Sequence, residues 1–197
     1  MRALRAERGF SLVELLVSQG VLVVLLAIAA TMLIQNTQIN KAQQMTLALQ
    51  ADARNTVSMV VNALRTAGWD PTNAGFDSLG LDPDPNGSDN LIQIFADLNA
   101  DGDTDDQDEE ITVRHTTDRV EWRKVSDPNQ PFVVMAENIT NDQDDDGVIE
   151  PMFTPNSMTN PNRVSVRITA RSAEPDPRTG QFIRYTVVTD VYLRDEL

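Results

Sequence analysis

Cysteine is missing from this chain altogether. That excludes a disulfide framework, a thiol nucleophile and any Cys-based metal site. Histidine occurs once, at His115, inside a stretch that alternates like a strand. A lone histidine there reads as a surface or sheet residue and not as a catalyst. No Ser/His/Asp set, zinc pattern or phosphate-binding loop is present, so no enzyme is expected. The two tryptophans, Trp69 and Trp122, read as packing residues. Basic residues are scarce: Lys and Arg number 16 against 30 Asp and Glu, for a net charge of -14. Arg2, Arg5 and Arg8 stand against Glu7 in the first nine residues, so the remainder carries -16. A body so acidic repels phosphate backbones and makes nucleic acid an unlikely partner, while leaving room for cations. Proline is absent before Pro71, and the only glycine between Phe10 and Ala67 is Gly20.

What fills that proline-free stretch is apolar. From Phe10 to Ile34 the one charged residue is Glu14. A helix of roughly 20 apolar residues crosses a bilayer, and the three preceding arginines place the amino end on the cytoplasmic side. The run is too long for a signal-peptide core of about 7–15 residues, and no small-x-small cleavage site follows it. A carboxylate inside it costs about 2.5–3.5 kcal/mol on insertion scales, which marks Glu14 as a functional residue awaiting a partner.

The segment Arg8-Gly9-Phe10-Ser11-Leu12-Val13-Glu14-Leu15-Leu16 resembles the prepilin signature of type IV pilins and type II secretion pseudopilins: basic leader, glycine, aromatic first mature residue, glutamate fifth. The resemblance implies a leader over residues 1–9, prepilin peptidase cleavage between Gly9 and Phe10, and N-methylation of Phe10. It also gives Glu14 a partner, the charged amino terminus of a neighbouring subunit in the filament. Opposite charges in a low-dielectric helix bundle attract strongly and an unpaired one is costly, so such a pair can set register.

Beyond Ile34 the helical period continues. Ile39, Ala42, Met45, Leu49, Ala53, Val57, Val60, Leu64 and Ala67 recur at spacings of three or four and make one apolar face. Gly68 stands where a helix-ending residue belongs, with Asp70-Pro71 as the stop. One helix is expected over about residues 10–67, roughly 87 Å long at 1.5 Å per residue. Residues 10–35 form its membrane and filament-core half. The half beyond them must pack on a head domain spanning residues 36–197.

Residues 69–90 read as loop, from their prolines and glycines. Strands are expected at 91–95, 110–115, 119–125, 132–135 (with 136–139 as a continuation), 164–170 and 182–193, with a two-residue Thr117-Asp118 hairpin turn and a loop over 172–180. Strands after one long helix give an α+β class, with an antiparallel sheet laid on the helix. This arrangement is similar to the pilin fold. Arg65-Thr66-Ala67-Gly68 and Ala136-Glu137-Asn138-Ile139 resemble PilW-like minor pilins and the J class of type II secretion pseudopilins. Body cysteine pairs common in such relatives are missing here.

Two acidic stretches follow the calcium-loop spacing D-x-[DN]-x-[DN]-G. In the first, Asp97, Asn99, Asp101, Asp103 and Asp105 alternate, Gly102 allows the sharp turn, and Asp108 falls at position twelve, where such loops want a bidentate glutamate. In the second, Asp142, Asp144 and Asp146 precede Gly147, with Glu150 nearby and Phe153 unable to ligate at position twelve. So many carboxylates in one turn are costly without a cation, so one or two calcium ions are expected. The function these readings imply is that of a minor pilin in a priming or tip complex of a type IV pilus. The alternatives are a minor pseudopilin of type II secretion or a calcium-dependent tip adhesion module. The implied partners are other pilin subunits, the prepilin peptidase and, as a further candidate, a tip adhesin. The implied location is the bacterial inner membrane, then the cell-surface pilus or a periplasmic pseudopilus.

Overall fold

A computed structural model describes residues 11–81, 90–106, 108–124, 130–144, 146–157 and 161–193. The leader residues 1–9 and the junction at Gly9 and Phe10 lie outside the described residues, as does Val125.

One helix, α1, runs unbroken over Leu12–Leu64, with Ser11 at its N-cap in an extended conformation. At 1.5 Å per residue its 53 residues span about 80 Å. Its amino-terminal part is exposed throughout: no residue of the most apolar 18-residue window is buried, although its mean hydropathy is 2.4. Burial starts at Ala42 and continues through Leu49, Ala53, Thr56, Val57, Val60 and Leu64. This is the face anticipated from the spacing, except that Ile39 stays exposed because it lies one turn short of the head. The helix also ends earlier than its apolar period. After Leu64 the chain tightens, with Thr66 and Ala67 donating to the carbonyls three residues back. Gly68 then adopts φ +71° and donates its N–H to the Phe95 carbonyl, which ties the helix end to a strand.

Eight strands follow. β1 (Leu79–Leu81), β2 (Asn90–Phe95), β3 (Glu110–Thr116), β4 (Arg119–Lys124) and β5 (Val133–Glu137) form an antiparallel five-stranded sheet in sequence order. β6 (Phe153–Pro155), β7 (Arg163–Pro175) and β8 (Phe182–Tyr192) form a second, three-stranded antiparallel sheet. The α+β class holds, but the strands of the described residues are divided between two sheets where one was expected. The longer β7 and β8 lie along α1, and β5 reaches it as well. Val164, Val166, Ile168 and Ala170 of β7 alternate inward and join Leu49, Val60 and Leu64 of the helix with Ile92, Ile94, Val113 and Val120 of the larger sheet in one core.

Three further differences have local causes. β1 forms inside the stretch read as loop, because Leu79 and Leu81 flank Gly80 opposite Gln93, where a Cβ would come within 2.7 Å of the Gln93 side chain. β7 continues to Pro175 through the expected 172–180 loop. Ser172 holds it there, its hydroxyl donating to the Glu174 carbonyl and accepting from Ile183 N–H. Trp69, read as a packing residue, is 39% exposed, whereas Trp122 packs against the core. His115 is buried in β3, with Nε2 2.8 Å from the Ile139 carbonyl.

Leu64 is fully buried where helix and both sheets meet. Leu64→Ala is expected to lower stability by about 2–5 kcal/mol through lost burial and a residual cavity. Leu47→Ala, at a 64% exposed position, is expected to stay within about 0.5 kcal/mol. Urea denaturation of both variants tests the contrast.

Candidate metal centre

The first acidic loop connects β2 to β3. Its base is zipped by Ala96 N–H donating to the Glu109 carbonyl, and its entry is fixed by Asp97 N–H donating to the Trp69 carbonyl at 2.8 Å. Asp97 is buried and acts inward. Its Oδ1 accepts from the N–H groups of Ala100 (2.6 Å) and Asp101 (3.2 Å), and its Oδ2 from Gly102 N–H (3.1 Å) and the Thr72 hydroxyl (3.1 Å). Four donors on one carboxylate fold the loop back on itself. Gly102 sits in that bend with φ +95°, a conformation an L side chain resists.

Asp101, Asp103 and Glu109 each place a carboxylate oxygen within 4.8 Å of the others, a spacing that can hold a metal ion. Glu109 is the member that sequence spacing missed. It is 2% exposed, and its Oε1 accepts from Leu98 N–H (2.8 Å) and Asn99 N–H (3.1 Å). Its Oε2 is buried with no hydrogen-bond partner. A buried carboxylate oxygen without a donor is costly, and a cation is the partner that such an oxygen lacks. Asp108, expected at the closing position, is turned elsewhere. It has φ +81° and its carboxylate lies 3.2 Å from the Lys124 ammonium. The loop therefore closes one residue later than the twelve-residue count, at the first residue before β3. No local sequence signal separates Glu109 from Asp108; its burial just before β3 is set by the fold.

Asn99 places its Nδ2 2.9 Å from Asp101 and 2.6 Å from Asp106, so one amide bridges two carboxylates. That hydrogen bond, first among several, holds the Asp101 carboxyl below its ordinary range. Asp105 moves the other way, because it shares a hydrogen bond with the Asp103 carboxylate and feels its charge. Asp106 is raised by lost hydration and by the charges of Asp101, Glu109 and Asp103. The neighbouring turn is built on Asp70, which accepts from Gly75, Ala74 and Thr72 and is lowered by them, Gly75 foremost.

The second loop brings Asp142, Asp144 and Asp146 within the same 4.8 Å spacing. Gly147, at φ +82°, donates its N–H to Asp142, and Val148 N–H donates to Asp146. Glu150 is not in the cluster; its carboxylate accepts from Gln143 N–H at 3.1 Å. Buried Asn141 anchors this loop on β7, donating to the Arg167 carbonyl and accepting from Thr169 N–H. Glu14, on the first turn of α1, is remote from both clusters.

The ionised form of Asp105 is disfavoured in the fold, so in metal-free protein Asp105→Asn is expected to raise the melting temperature at neutral pH. The wild-type residue takes up its proton as pH falls through its raised value, so the advantage disappears below the ordinary 3.8. Melting curves in a chelator at several pH values test this.

No family model, curated protein or solved structure matches this chain.

Proposed function

We propose that the chain is a minor pilin of a type IV pilus, held in the bacterial inner membrane by the first half of α1 and transferred into a filament after cleavage between Gly9 and Phe10. The observation that carries this reading is the division of one continuous helix. Its carboxy-terminal half is buried against two sheets from Ala42 onward, while residues 11–34 expose Leu, Val and Ile side chains on every face. A helix apolar all round needs lipid or other helices around it. The prepilin-like residues at the amino end supply the rest. Cleavage would free a cationic amine at Phe10, and Glu14 is the one carboxylate within the apolar half. In a bundle of such helices, each Glu14 gains a counter-charge only at one axial register, because a misregistered helix leaves it desolvated and unpaired.

The head adds a calcium centre to this reading. The candidate ligands of the first loop are all carboxylate oxygens. That suits calcium, which takes 6–8 oxygen ligands in flexible geometry, better than magnesium, which demands a near-ideal octahedron. Asp101, Asp103 and Glu109 would hold the ion. It would neutralise the crowded carboxylates and fasten the β2–β3 loop beside the end of α1.

In the native host, Glu14→Ala is expected to be processed and inserted normally but to fall at least tenfold in the sheared filament fraction, followed by immunoblot. Wild-type incorporation of that variant would sink the filament reading. For the head, calcium at about 100 times its Kd contributes about 2.7 kcal/mol, or roughly 5–10 °C of melting temperature for a domain of this size. Glu109→Gln is expected to lose most of that shift without losing stability in a chelator, since it keeps Oε1 and removes an uncompensated charge. Asp108→Asn is expected to retain the shift.

A further inference from the structure

We infer that the outer face of the β6–β7–β8 sheet is a docking surface for the acidic β2–β3 loop of a second copy of this chain. Strand alternation creates the surface. With Val164, Val166, Ile168 and Ala170 turned into the core, β7 turns Arg163, Ser165, Arg167 and Arg171 the other way, on the side of Thr169, which is itself fully buried. The residues paired with them on β8 are Tyr192, Asp190, Val188, Thr186 and Arg184. Four arginines and one aspartate therefore share a face of a protein whose net charge is -14. Arg171 and Arg184 are direct cross-strand partners, and like charges so placed repel. These guanidiniums also have contacts within the chain. Arg171 lies over the Phe182 ring at 4.9 Å, Arg167 donates to the Gln143 side chain at 2.9 Å, and Arg163 is 3.7 Å from Asp190.

The face also has the composition of a contact surface. Phe182, Val188 and Tyr192 are 41%, 53% and 72% exposed on β8, and Arg with aromatic side chains is the mixture enriched at protein interfaces. Its complement lies on the same polypeptide. Asp101, Asp103, Asp105 and Asp106 are exposed along the β2–β3 loop. A cation at Asp101, Asp103 and Glu109 leaves the exposed Asp105 and Asp106 outside the three-carboxylate cluster, crowded on the same short loop. Adjacent guanidiniums relieve that crowding with charge-assisted hydrogen bonds. Because loop and face are different patches, the contact is heterologous. It propagates from copy to copy and does not close as a two-fold dimer. It holds whether or not the chain enters a filament.

The absence of native cysteine makes the test direct. Full-length Leu98→Cys and Ser165→Cys chains, each in detergent micelles, are treated with a short bis-maleimide separately and mixed. A covalent dimer is expected only in the mixture. Its yield should fall at least fivefold in 0.5 M salt, and equally when the Ser165→Cys chain also carries Arg163→Glu and Arg184→Glu with an unchanged melting temperature. A dimer from Ser165→Cys alone, no dimer in the mixture, or a yield indifferent to salt and charge reversal overturns the inference. So does retardation of duplex DNA that depends on Arg163 and Arg184 while the loop cross-link is missing.

Discussion

Everything in this molecule is arranged around a helix that has to satisfy two different surroundings. The head can cover α1 only from Ala42 onward, because β7 and β8 are the elements that lie along it and they reach no further. The preceding turns keep the same backbone hydrogen bonding, but among the described residues none of the apolar side chains of residues 11–34 is buried. Such an element is stable as an isolated unit only in lipid or among other helices. Residues 10–67 contain no proline and a single glycine, Gly20, in keeping with a helix that runs without a break from one surrounding into the other.

The far end of the helix is where the head becomes specific. Gly68, Trp69 and Thr72 fasten the helix end and the turn after it to β2 and to Asp97. The acidic loop thus projects from the rigid end of α1 rather than from a free hairpin. Its internal hydrogen bonds occupy both oxygens of Asp97 and one of Glu109, and the loop brings a carboxylate oxygen of each of Asp101, Asp103 and Glu109 within 4.8 Å of the others. The loop is organised by backbone donors, and its residual negative charge is left for a cation. The second loop has the same turn chemistry at Gly147, but its closing carboxylate is used on Gln143 N–H. The two loops therefore differ in what they offer an ion, despite their similar spelling.

Charge is unevenly distributed in a way that net charge hides. The carboxylates collect in loops, where alternating Asp residues favour turns, while Arg163, Arg167 and Arg171 share one sheet face because a period of two assigns every second residue of β7 to it, with Arg184 opposite on β8. The chain therefore carries an exposed acidic loop and a sheet face that holds four arginines.

The sequence by itself determined the long helix, its buried stripe and most strand positions, since these follow from local periodicity and from residues that break it. It determined the two acidic turns, because Asp at alternate positions with a following glycine has few other solutions. It also carries the prepilin-like junction at Gly9 and Phe10 and the solitary Glu14. Only the tertiary structure decided that the strands divide into two sheets, that β7 runs on to Pro175 and that short β1 and β6 exist, because each depends on a partner strand distant in sequence. Tertiary structure alone exchanged Asp108 for Glu109 in the cluster: burial at the start of β3 and the Lys124 ammonium choose between adjacent acids that no local rule can tell apart. It also put Arg171 opposite Arg184, a juxtaposition set by hairpin register and invisible in either strand alone.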